Sequence, residues 1–175
     1  MTRTALSLSA CLLTFITASP AFSHVTLEQR EAAIGGPAKL TFRVPHGCGN
    51  HATTAVRVAI PEGFIAAKPM PKPGWKLKVS SGAYARTHDY FHGTKLSEGT
   101  KEIAWSGNLP AAYYDEFVIS GFLSADLTPG ATLYFPVVQD CKKDRHRWIE
   151  IPAPGQNAHD LKEPAPGLRL TPRTR

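Results

Sequence analysis

Cysteine and methionine, the sulfur ligands of common redox centres, are scarce in this sequence. Its 175 residues include three cysteines and two methionines, and Met70 is the only methionine after the first residue. A blue-copper electron-transfer centre needs a free thiolate, two histidines and usually a weak axial methionine. Met70 lies in the proline-rich segment Lys68-Pro69-Met70-Pro71, and no methionine follows Cys141. The sequence therefore argues against an electron carrier of this type.

Familiar catalytic and nucleic-acid-binding patterns are missing as well. There is no Gly-x-Ser-x-Gly elbow, no His-Glu-x-x-His pair and no phosphate-binding loop. The net charge of +6 is scattered apart from one cluster, and no aromatic residues alternate with it as a nucleic-acid platform requires. That cluster, interpreted as a solvated basic loop, comprises Lys142, Lys143, Arg145 and Arg147. We therefore predict a protein that is not an enzyme and does not bind nucleic acid.

Long apolar runs are absent except at the N-terminus. Arg3 supplies a positive charge, residues 5–18 are largely apolar, and Ala21 and Ser23 place small residues at positions −3 and −1 of a cleavage site. We predict a signal peptide over 1–23, cleaved before His24, which leaves 175 − 23 = 152 residues that are periplasmic or secreted. A lipoprotein cleavage box ending at Cys11 is disfavoured because the apolar run continues past it.

Two cysteines remain after this cleavage, because Cys11 leaves with the signal peptide. An exported protein resides where disulfides form and persist, so we expect Cys48 and Cys141 to be bonded to each other. Their sequence separation would make the closed loop long. Metal ligation by the two thiolates is the alternative, and oxidation would compete with it.

Long helices have little room among fifteen prolines and fourteen glycines. Apolar residues instead recur at every second position in short segments that glycine and proline turns separate, which is typical of half-buried strands. The segments are 24–28, 39–44, 56–60, 75–79, 102–105, 116–119, 132–138 and 147–151. This spacing predicts an all-β antiparallel sandwich of immunoglobulin or cupredoxin type over 24–152. The proline-rich tail, 153–175, is predicted to be extended and partly disordered.

His24 is the first candidate for chemistry. At the start of a processed chain it would offer an α-amine and an imidazole on one residue, and the two can close a chelate ring on a metal ion. Nitrogen donors in a tetragonal arrangement suit Cu(II), and zinc is a weaker second choice. The alternative is an ordinary polar residue near a ragged terminus. His46 and His51 add two imidazoles in one loop, although loop histidines are more often solvated side chains.

Trp148 is a second candidate. If Ile149 and Ile151 face the core, strand alternation turns Trp148 to the opposite face together with His146 and Glu150. The indole would then lie against a ligand or metal near the surface, or simply pack under the C-terminal tail.

Several blocks together resemble the YcnI-like copper-binding proteins, a bacterial exported domain long catalogued as of unknown function. The similarity runs through most of the processed chain. The blocks are His24-Val25-Thr26, Lys39-Leu40-Thr41-Phe42-Arg43-Val44-Pro45-His46-Gly47-Cys48, Thr53-Thr54-Ala55-Val56-Arg57-Val58, Ile60-Pro61-Glu62-Gly63, Pro71-Lys72-Pro73-Gly74-Trp75, Tyr114-Asp115-Glu116-Phe117, Leu133-Tyr134-Phe135-Pro136-Val137-Val138-Gln139 and Arg147-Trp148-Ile149-Glu150-Ile151-Pro152.

This resemblance implies a cupredoxin-like sandwich that binds one Cu(II) through the amine and side chain of a single histidine, with a tryptophan close by. The two positions fall on His24 and Trp148. Relatives also place a glutamate in the loop that here reads His46-Gly47-Cys48-Gly49-Asn50-His51, which has no carboxylate. We hypothesise that His46 substitutes for it, with His51 as the less favoured stand-in.

The implied function is periplasmic copper delivery, buffering or resistance. Its partner would be a copper chaperone or a copper-transporting membrane protein. A copper-dependent polysaccharide monooxygenase is the enzymatic alternative, and regioselectively oxidised chitin or cellulose fragments would reveal it. A metal-free structural sandwich is the third possibility.

Overall fold

The computed structural model describes residues 24–173, which form an almost all-β domain; the predicted signal peptide lies outside these residues. The strands are β1 (Thr26–Leu27), β2 (Glu31–Ala33), β3 (Gly36–Val44), β4 (Thr53–Ala59), β5 (Phe64–Pro69), β6 (Lys76–Asp89), β7 (Lys95–Leu109), β8 (Asp115–Leu123), β9 (Thr132–Tyr134), β10 (Val137–Cys141), β11 (Arg145–Trp148) and β12 (Gly167–Thr171). Two 3-10 turns cover Phe91–Gly93 and Ala158–Asp160. Within 24–173, no helix is long and apolar enough to cross a membrane.

Two large sheets build the sandwich. One has the order β1-β3-β8-β5 and the other β11-β10-β4-β7-β6, and every pairing in both is antiparallel. A smaller sheet, β2-β12-β9, contains a parallel pair between β2 and β12. The predicted all-β antiparallel sandwich is confirmed.

The core forms because alternate residues of each strand turn inward. In β3, Leu40, Phe42 and Val44 are buried while Lys39 and Arg43 are exposed. Burying a large apolar side chain contributes about 1.5–3 kcal/mol each. Aromatic rings from the two large sheets meet in the middle: Trp105 of β7 and Phe117 of β8 lie 5.3 Å apart between ring centroids. The core therefore fills the space between the sheets.

The segment 132–138, predicted as one strand, is divided in the structure. Thr132–Tyr134 pairs with β12, whereas Val137–Cys141 pairs with β4 and β11. Phe135 and Pro136 lie at the switch, and proline lacks the N–H group that a continuous ladder would need. The chain changes sheet there, while Phe135 is fully buried.

The expectation of an extended, partly disordered tail is wrong for the last strand. Leu168 and Leu170 of β12 are buried in the main core, and β12 pairs with strands on both sides. Their spacing of two residues signals a strand. The many prolines of segment 153–175 obscure this strand pattern and favour a prediction of disorder.

His88, to which the sequence assigned no role, is buried where the long β6–β7 hairpin crosses the sandwich. Its Nε2 donates to Glu62 Oε1 at 2.7 Å, and its Nδ1 lies 3.2 Å from Ser124 Oγ and 3.4 Å from Asp126 Oδ2. Glu62 precedes β5, while Ser124 and Asp126 follow β8. The imidazole therefore ties β6 to the neighbouring sheet.

The carboxyl groups of this network hold their protons weakly. Burial by itself would raise the pKa of Glu62, but hydrogen bonds from His88, a backbone amide and Lys101 outweigh it and keep the pKa below 4.5. Burial is likewise outweighed at Asp126 by a hydrogen bond from Ser124 and by nearby positive charge, so its pKa is lowered. Both groups favour the folded state when ionised.

Replacing His88 with alanine should lower the free energy of unfolding near pH 7 by roughly 3 kcal/mol, because charge-assisted hydrogen bonds and buried volume are both lost. A lowered folded pKa means that the unfolded chain binds more protons in acid. The stability is therefore present above pH 4.5 and is lost as the pH falls through the folded pKa of Glu62. Urea unfolding between pH 7 and pH 3 should show a shallower acid loss in His88→Ala than in the wild type.

His92→Asn removes an exposed imidazole from the turn of the same hairpin, at a positive φ that asparagine tolerates; it is the matched control and should leave stability unchanged. If His88→Ala matched the wild type in stability and in acid dependence, the network would have no stabilising role.

Candidate metal centre

His24 lies immediately before β1, and its ring faces Trp148 at the end of β11. The ring centroids are 5.5 Å apart with an interplanar angle of 52°. Val25 and Leu27 are buried on either side of Thr26, which pairs with Arg43 of β3. These contacts anchor the chain directly after His24, whose side chain stays half-exposed. The fold thus brings together the two residues that the sequence analysis selected.

Trp148 is buried rather than on an outer face, so that part of the sequence prediction is wrong. Trp148 is 3% exposed, whereas Ile151 is 57% exposed. Strand β11 ends at Trp148, whose register partner Val137 is also buried. The alternation rule holds only while a strand continues, and Ile149 and Ile151 lie beyond its end.

Gln139 of β10, which the sequence analysis left without a role, fixes the indole. The side chain is fully buried, and its Oε1 accepts a hydrogen bond from Trp148 Nε1 at 3.1 Å. Its Nε2 donates to the His46 carbonyl oxygen at 2.7 Å and to Thr53 Oγ1 at 2.8 Å. A buried polar group needs such partners, so Gln139 holds the indole and the His46 loop in one arrangement. A glutamine at an inward position of an alternating strand is the signal that could have found it.

The loop that carries His46 is held in place by its neighbours. A Cβ at Gly47 would lie 2.1 Å from the His51 carbonyl oxygen, so only glycine fits there. The predicted disulfide between Cys48 and Cys141 is confirmed, and it ties this loop to the end of β10. Backbone hydrogen bonds in both directions join Cys48 and His51.

The His46 ring has one nitrogen engaged. Its Nδ1 lies 2.5 Å from the Gly47 carbonyl oxygen, which can only accept, so Nδ1 donates. Nε2 is then the nitrogen available to a metal ion, and such a carbonyl partner is common behind metal-binding histidines. Within 24–173, however, no group of three or more His, Cys, Asp or Glu side chains is arranged to hold a metal ion. Metal binding by His46 stays a prediction.

His146 is a neighbour of the centre that the sequence analysis placed beside Trp148 without giving it a role. The two rings are stacked, with centroids 4.8 Å apart and an interplanar angle of 29°. His146 Nδ1 bonds to Glu163 Oε1 at 2.7 Å, and Glu163 also accepts from the Arg147 amide. Burial would raise the pKa of Glu163, but these hydrogen bonds and nearby positive charges outweigh it and lower the pKa.

His159, on the second 3-10 turn, approaches His24 from the C-terminal segment. Burial and, after it, the charge of His159 lower the pKa of His24 below 6.5. Both residues line one cavity of about 350 Å³. A metal ion binds the neutral imidazole, so the lowered pKa reduces competition from protons at His24, while a charged His159 would repel a cation as well. Nothing in the sequence signals this proximity, since the two residues are 135 positions apart.

Comparison with known structures gives the class of this protein: it is an immunoglobulin-like β-sandwich. A chain described as an uncharacterized protein from Nocardia farcinica, whose crystal structure reveals an immunoglobulin-like fold, matches with a TM-score of 0.61 and 28% identity over 85% of this chain and 98% of that chain. The chain belongs to the family described as a domain of unknown function, DUF1775, whose model matches residues 24–170. No curated protein matches it significantly.

Proposed function

We propose that the processed protein is an exported, periplasmic or secreted, copper-binding protein that holds Cu(II) through the α-amine and imidazole of His24, as YcnI-like copper proteins do. Its role is copper delivery, buffering or resistance rather than catalysis. Its partner is a copper chaperone or a copper-transporting membrane protein.

The observation that carries this proposal is the contact between His24 and Trp148 at the start of the matched domain. The family match begins at His24, the residue that signal-peptide cleavage would make the first one. Its half-exposed ring lies 5.5 Å from a buried indole. An amine and an imidazole on one residue form the two-nitrogen chelate that suits tetragonal Cu(II).

Trp148 supports this site as a wall rather than as a ligand. The indole N–H already donates to Gln139, so the carbon face of the ring is the part of Trp148 that would lie beside the metal ion. A rigid apolar ring beside the chelate excludes water from one side of the ion. His46 Nε2 is the proposed further donor.

A half-exposed first ligand fits a protein that passes its metal on. A partner can approach His24 from solvent and exchange ligands stepwise, whereas a core site would require opening the sandwich. This favours delivery or buffering over permanent storage.

Cu(II) added to the exported, processed protein should quench the fluorescence of Trp148. Paramagnetic Cu(II) quenches an indole in close proximity, and the chain has three tryptophans in all. Trp148→Phe should therefore lose most of the quenching, while the matched variant Trp75→Phe should retain it. Mass spectrometry of the same sample locates the first residue.

Undiminished quenching in Trp148→Phe would contradict a site at this position. No Cu(II) binding by protein that begins at His24 would favour the metal-free structural sandwich.

A further inference from the structure

The cavity beside His24 has a charge distribution that the proposed copper site does not explain. Its walls come from β1, β9, β12, the second 3-10 turn and the segment after it. Arg30 and Arg169 line it together with His24 and His159. Among the described residues, no aspartate or glutamate lines it.

A backbone hydrogen bond joins the two arginines. The Arg169 amide donates to the Arg30 carbonyl oxygen at 2.9 Å, where β12 runs parallel to β2. Glu31 is the register partner of Arg169, but it does not line the cavity, and no salt bridge within residues 24–173 joins the two. Two arginines on the walls of one cavity give it a positive charge that attracts an anion.

The remaining walls favour an organic anion over an inorganic one. Pro164, Ala165 and Pro166 give the cavity an apolar side, and Thr26 and Tyr134 are neutral polar residues on its wall. A volume of about 350 Å³ leaves room for a carbon skeleton of a few atoms. Guanidinium groups recognise carboxylates through paired, charge-assisted hydrogen bonds.

We propose that this cavity binds a small organic carboxylate between Arg30 and Arg169, and that one of its oxygens completes the coordination of the copper held by His24. The amine and imidazole of His24 and the imidazole of His46 supply three donors in the proposed site, so a tetragonal ion there has a fourth position for an outside oxygen. The part that concerns copper rests on the proposed function, whereas anion binding by the metal-free protein does not.

Titration calorimetry of the exported, metal-free protein with succinate, at low ionic strength, tests the anion site. Succinate should bind, and Arg30→Gln and Arg169→Gln should each weaken binding about tenfold, since each removes one charge-assisted interaction. Lys78→Gln, an exposed position on β6 at the far edge of the other sheet, loses the same charge and should bind as the wild type does. Thermal unfolding checks that each variant is folded.

Absence of succinate binding, or equal binding by both arginine variants and the wild type, would overturn the proposal. Sulfate or phosphate binding as tightly as succinate would overturn the assignment to a carboxylate. The copper arm uses electron paramagnetic resonance: succinate should change the spectrum of the Cu(II)-loaded wild type and leave that of Arg169→Gln unchanged at the same concentration.

The two failures are distinguishable. If succinate binds but Cu(II) does not, the proposed function is wrong and the anion site stands. If Cu(II) binds at His24 while its spectrum ignores succinate, the carboxylate is not a copper ligand.

Discussion

One additional residue ahead of His24 is expected to weaken Cu(II) binding at least about 100-fold. Mutating a residue behind a metal ligand typically costs about 10–100-fold in affinity, and the extension alters a proposed ligand itself. The extension converts the α-amine into an amide, which cannot join the imidazole in the same chelate ring without losing its proton. Competition against a chelator of known affinity measures the change. His24→Ala should cause a comparable loss because it removes the imidazole.

Two control variants test whether the loss of affinity is specific to the amine and imidazole of His24. The same residue added after Arg175 should leave Cu(II) affinity unchanged, and so should His92→Ala, which removes an exposed imidazole from the β6–β7 turn. Unchanged affinity in the N-terminally extended protein would rule out the amine as a ligand.

Loss of the disulfide between Cys48 and Cys141 should produce the largest change in stability. The bridge joins residues 93 positions apart, and the chain-entropy model assigns such a loop about 4–5 kcal/mol. For a domain of this size the melting temperature should fall by roughly 10–15 °C. Calorimetry of Cys48→Ala/Cys141→Ala against the oxidised wild type measures the difference.

Reduction of the wild type to two thiols should reproduce the loss without any substitution. Thiol titration of the unfolded, unreduced protein should find no free thiol in the processed chain. Equal melting temperatures for the oxidised wild type and the double variant would contradict a stabilising role for the bridge.

The disulfide should also affect the metal site, because it holds the His46 loop against β10. Gln139 on the same strand fixes both that loop and the indole. The geometry around the indole therefore depends on contacts far apart in sequence.

The strands that could be predicted are those with a clear period of two and one buried face. In β3 and β4 the regularly spaced large apolar residues are the buried ones and the charged residues between them are not, so local pattern and final structure agree. The segment 132–138 was mispredicted because its apolar run continues across a change of sheet at Pro136. The local sequence pattern does not distinguish an apolar segment that stays in one sheet from one that passes between two sheets.

The candidate metal centre likewise has some features that the sequence predicts and others that depend on tertiary structure. His24 could be selected from the sequence because its proposed chemistry depends on its position in the chain, and Cys48 and Cys141 could be selected as the only pair outside the predicted signal peptide. The burial of Trp148 was not predictable, since it depends on where β11 ends. The approach of His159 to His24 depends on how the C-terminal segment returns across the sandwich.

The all-β class, the cysteine pair and the histidine at the start of the domain can be predicted from residue type, count and local periodicity. Tertiary packing alone makes Gln139 link the indole to the His46 loop and brings two arginines and two histidines to the wall of one cavity. Such contacts join residues that are distant in sequence, and their geometry is set by how the sheets pack rather than by any local preference of the chain.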